Sequence, residues 1–83
     1  AGLDQFVIFF FFLSDNLTIQ FNNAKNSVGI TLFDISGRVV HSESVEASGQ
    51  FNHTMSVANM SSGVYFVSVE NDNVRTTRKL VID

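Results

Sequence analysis

The feature that most restricts what this chain can fold into is its punctuation. From residue 16 onward, short segments rich in Val, Ile, Phe and Thr are separated, roughly every eight to twelve residues, by clusters of Asn, Asp, Ser and Gly. β-Branched and aromatic residues suit a pleated, half-buried surface, and the intervening residues suit reversals of the chain. The spacing therefore predicts an all-β sandwich or barrel. Strands are expected at residues 6–13, 16–21, 27–34, 38–45, 50–57, 63–70 and 74–82, and no segment sustains a helical period.

Alternation within the segments assigns their faces. Leu17, Ile19 and Phe21 fall on one side of their strand, with Thr18 and Gln20 on the other. By the same period Val28, Ile30 and Leu32 share a face, as do Phe51, Met55 and Val57, and Tyr65, Val67 and Val69. These are the expected core residues. The stretch Asp34-Ile35-Ser36-Gly37 ends in the residue that enters positive φ without steric cost and predicts a tight reversal. Glu46-Ala47-Ser48-Gly49, Asn59-Met60-Ser61-Ser62-Gly63 and Glu70-Asn71-Asp72-Asn73 are read as three further links between antiparallel neighbours.

Phe6-Val7-Ile8-Phe9-Phe10-Phe11-Phe12-Leu13 is an unbroken apolar run of eight residues, far short of the roughly 20 that a membrane helix needs. Asp4 precedes it and Ser14-Asp15-Asn16 follows, where a signal peptide would carry a basic residue and then small ones. A strand buried on both faces is the expected reading, and the chain is not expected to span a membrane. The whole 83 residues are read as one domain, with no linker and no internal repeat.

Composition narrows the function. A net charge of −3 argues against a nucleic-acid binder, which relies on Lys and Arg to neutralise phosphates. Arg75, Arg78 and Lys79 form the one basic cluster and are read as a solvated strand face. Without cysteine there is no disulfide framework and no thiolate metal site. Only His41 and His53 are available as neutral-pH bases, too few partners for a nucleophile, base and orienting group, so no enzyme activity is expected. His53 is in phase with Phe51 and Met55 and is placed at the core margin. His41 is placed on a face with Val39 and Glu43, a pair lacking a third metal ligand. Single glycines precede no helix that could hold phosphate. No cofactor is expected.

The second half carries a pattern that composition does not supply. Ile30-Thr31-Leu32-Phe33-Asp34-Ile35-Ser36-Gly37-Arg38-Val39-Val40 is a strand ending in an aromatic and Asp, then a Ser-Gly-Arg turn, then paired aliphatics. Met60-Ser61-Ser62-Gly63-Val64-Tyr65-Phe66-Val67-Ser68-Val69 is a Ser-Ser-Gly turn leading into a Tyr-containing strand, and Thr76-Thr77-Arg78-Lys79-Leu80-Val81-Ile82 sets basic residues before a terminal aliphatic strand. In this order over residues 14–83, the three blocks resemble the C-terminal sorting domain of the type IX (Por) secretion system. At the start the chain departs from the family, with Phe9-Phe10-Phe11-Phe12 in place of a Tyr-Pro-Asn-Pro-like segment.

The resemblance implies a single small antiparallel β-sandwich of about seven strands, immunoglobulin-like. It further implies a cargo-borne address on a secreted or cell-surface protein in transit through periplasm and outer membrane. The implied partners are the type IX translocon with its outer-membrane shuttle barrel, and a sortase-like peptidase that removes the domain. Gly37 and Gly63 are then expected to form turns, Tyr65, Leu80 and Val81 to build core, and Arg38 and Lys79 to touch the machinery. An exposed edge strand could also add to a partner sheet. The alternative from another class is an immunoglobulin-like or fibronectin-like adhesion or carbohydrate-binding module, for which only Phe33 and Phe66 offer free rings.

Overall fold

The computed structural model describes residues 9–13 and 15–83. The strands are β1 (Phe9–Leu13), β2 (Asn16–Ala24), β3 (Ser27–Asp34), β4 (Val39–Glu46), β5 (Gly49–Ser56), β6 (Gly63–Asn71) and β7 (Val74–Ile82). They form two antiparallel sheets, one ordered β1-β2-β5 and the other β4-β3-β6-β7. The all-β expectation holds, and strand positions agree with the sequence reading to within a few residues. The expected start of the first strand at residues 6–8, the burial of the Phe run and the inward place of Phe21 lie outside the described residues and side chains.

Alternation builds one core from both sheets. Leu17 and Ile19 of β2, Phe51 and Met55 of β5, Val28, Ile30 and Leu32 of β3, and Tyr65, Val67 and Val69 of β6 are buried together with Val57, Leu80 and Ile82. Removing each such side chain from water contributes about 1.5–3 kcal/mol, which is how so short a chain holds a fold without disulfides. A register shift between Phe21 and Ala24 adds a residue to β2 and turns Ala24 inward at the strand's end.

Two of the expected hairpin links are corrected. Glu46–Gly49 joins β4 to β5, and Asn59–Gly63 leads from β5 to β6; each pair lies in different sheets, so both segments cross between sheets. Turn-forming residues report that the chain reverses and carry no information about which strand receives it. The Glu70–Asn73 link does join hydrogen-bonded neighbours. The two residues between the paired Asn71 and Val74, Asp72 and Asn73, hold φ of 52° and 74°, the doubly positive pattern that matches the twist of a tight hairpin.

Val81 is a further correction: it is 48% exposed, whereas Leu80 and Ile82 are buried. A strand alternates faces, so three consecutive aliphatics cannot all enter one core. The basic cluster is likewise split, with Arg75 and Lys79 on the face opposite Arg78, although all three are exposed. Val39 does not share a face with His41. Leu32 pairs with His41 but Phe33 with Val39, so the extra residue, Val40, reverses the strand's phase.

Candidate recognition surface on the four-stranded sheet

The three sequence blocks, separate in the chain, meet at one end of the β4-β3-β6-β7 sheet. Phe33 is opposite both Val39 and Phe66, and Phe66 is opposite Lys79, so one row of residues crosses all four strands. One step along, Val64 faces Val81 and Gly63 faces Ile82, while Tyr65 pairs with Asp34 on one side and Leu80 on the other. Gly37 and Arg38 close the adjoining β3–β4 turn. Every candidate residue therefore lies at this end.

The β3–β4 turn is organised by Asp34, the first residue of the expected reversal, whose side-chain role was not among the expectations. Its Oδ1 accepts from the Ser36 hydroxyl (2.7 Å), the Arg38 amide (2.9 Å) and the Ser36 amide (3.0 Å), and its Oδ2 accepts from Arg38 Nε at 3.2 Å. The Gly37 amide donates to the Asp34 carbonyl at 2.9 Å, with Gly37 at φ 91°. The Ser36 hydroxyl above all, then the Arg38 amide, holds the Asp34 carboxyl below its ordinary value of 3.8. The signal that would have found it is an Asp at the first position of a turn ending in Gly. Arg38 is thus already paired, though exposed.

At the β6 entrance Gly63 holds φ 149°, a conformation open to glycine. Two residues on, the buried Tyr65 sends its hydroxyl back to the Ser61 carbonyl at 2.8 Å. Tyr65 and Leu80 are inward, as expected, so their contribution here is to fix the sheet beneath the surface. Lys79 and Val81 point outward from the same strand end.

The histidines meet elsewhere. His53 Nε2 donates to Glu43 Oε2 at 2.5 Å, and His41 Nε2 lies 3.5 Å from Glu43 Oε1. Glu43 stands on β4 and His53 on β5, so this contact joins the two sheets along one side. Strand phase placed His53 at the core margin, where it is half-buried, and could not show the link across sheets. Among the described residues, no group of three or more His, Asp or Glu side chains is arranged to hold a metal ion, and no helix is long and apolar enough to cross a membrane.

No curated protein matches the chain. The family model described as the secretion system C-terminal sorting domain does, and its match runs over residues 13–83, taking in all three blocks and strands β2 to β7. The chain accordingly belongs to the C-terminal sorting domains of the type IX secretion system, the signals that direct the proteins carrying them to export.

Proposed function

We propose that this domain is read as a folded object by the type IX translocon and its outer-membrane shuttle barrel, carried with its cargo through periplasm and outer membrane, and then removed by a sortase-like peptidase. The observation that carries the reading is the convergence of the three blocks on one end of one sheet. A signal shared by unrelated cargos must offer the same surface each time, and a register locked by hydrogen bonds across four strands does so.

In this reading the domain is recognised and discarded, with no catalytic residues of its own. The engagement of His41 and His53 with one carboxylate supports a structural part for both. The fold is proposed as an immunoglobulin-like sandwich. Strand orders β1-β2-β5 and β4-β3-β6-β7 follow the A-B-E and C-F-G arrangement, with the fourth strand on the second sheet. The Tyr65 hydroxyl reaching back four residues from the start of β6 resembles the tyrosine corner of that fold.

Fusing residues 1–83 behind a reporter in a type IX-competent bacterium tests the reading. Reporter outside the cell, freed of the domain, is the expected result. Retention in the periplasm would refute it.

A further inference from the structure

The outer face of the four-stranded sheet is graded along the strands. Its middle row, Ser42, Thr31, Ser68 and Thr77, is all hydroxyl, and the next row, Ser44, Gly29, Glu70 and Arg75, is small or charged. The row at the end where the blocks meet is Val39, Phe33, Phe66 and Lys79, flanked by Val64 and Val81. The large hydrophobic residues exposed among the described ones are Ile35 (75%), Val39 (52%), Val81 (48%) and Val40 (37%). All of them sit at this end, on the outer row, the bulge or the turn. Scattered exposed aliphatics need no explanation, whereas a contiguous set marks a contact surface.

Charge decides what fits it. Arg38 is held by Asp34 and Arg75 lies 3.6 Å from Glu70, while Lys79, inside the apolar row, enters no ion pair or hydrogen bond among the described residues. A single unpaired cation within an apolar row calls for a surface of like shape carrying a carboxylate. An anionic lipid surface is a poor match, since such binding draws on clusters of about 4–8 Lys or Arg and this chain has net charge −3. A second copy paired two-fold on the same row would set Lys79 against Val39 and leave the cation uncompensated.

We infer that this end of the sheet docks a protein partner whose contact surface combines apolar side chains with a carboxylate opposite Lys79. The inference rests on the sorting reading and names the chemistry of the partner in the export machinery. Because the contributing side chains are exposed, they can be changed without touching the core. With the reporter fused to the 83-residue chain, Lys79→Glu and the double variant Val39→Ser/Val81→Ser are expected to keep the wild-type melting temperature. Each should lower the exported fraction roughly tenfold, the effect of one lost anchor contact, and Lys79→Arg should retain export.

Normal export of both the Glu and the double variant would overturn the docking surface while leaving the sorting reading intact; a wild-type domain that is itself retained would instead overturn that reading. Two outcomes with the purified chain would reassign the face. Lys79-dependent sedimentation with phosphatidylglycerol vesicles would make the occupant a lipid surface. Concentration-dependent dimers abolished by Val39→Ser/Val81→Ser would make it a second copy.

Discussion

Gly63 and Asp34 show how single residues set this surface. At φ 149°, Gly63 occupies backbone space that a β-branched residue enters only with strain. A Cβ there would meet the nearest Tyr65 ring atom at 4.0 Å, an ordinary contact, so the cost is conformational and not steric crowding. Gly63→Val is expected to lose about 1–3 kcal/mol, read as a lower melting temperature; an unchanged melting temperature would contradict it. Asp34 links the turn to pH. Its folded carboxyl is held below the ordinary value of 3.8, so the folded state releases its proton more readily than the unfolded one. The resulting stability is present above the unfolded value and is lost as pH falls through the folded one. Asp34→Asn is expected to flatten this acid-side fall in melting temperature. Asp34 was legible as a turn residue, but its role depends on four donors that only the folded turn assembles.

At the scale of elements, two side-chain links hold what the ladders leave open. Asn71, 2% exposed at the end of β6, donates to the Lys25 carbonyl (2.7 Å) and the Ser27 carbonyl (2.8 Å), and its Oδ1 accepts from the Lys25 amide at 3.1 Å. It clamps the passage from β2 to β3, where the chain changes sheet. Asn71→Ala leaves those groups unpartnered and is expected to cost about 1–3 kcal/mol in urea unfolding, far more than Asn52→Ala on the exposed face of β5. The Glu43–His53 link closes the β4–β5 side. A double-mutant cycle with Glu43→Gln and His53→Ala should give a coupling of about 1 kcal/mol, reduced from a buried pair because both side chains are roughly a quarter to a third exposed. A coupling of zero would show that the link carries no stability. Alternation revealed the strands and most of the core, from Val28-Gly29-Ile30 to Tyr65-Phe66-Val67. It failed where period two is broken or uninformative. The Val40 bulge flips Val39, three consecutive aliphatics hide which of them faces out at Val81, and a turn such as Glu46–Gly49 reads the same whether it closes a hairpin or crosses between sheets.

For the whole molecule, the three blocks act as one signal only because the fold brings them together. Their family resemblance was visible in the order of residues, yet their meeting in a single row required the pairings β3–β4, β3–β6 and β6–β7. On the proposed function, the machinery reads this assembled surface and not a linear string. The most direct measurement is the exported fraction of a reporter carrying either the wild-type domain or Leu32→Asp, at matched expression in a type IX-competent strain. Leu32 is fully buried in β3 and belongs to none of the exposed positions, so a carboxylate there should unfold the core while leaving the surface residues unchanged in sequence. The wild-type fusion should reach the outside of the cell and the Leu32→Asp fusion, unfolded by circular dichroism, should stay within. Equal export of an unfolded Leu32→Asp domain would show that the linear string suffices and that the assembled surface is not what is read.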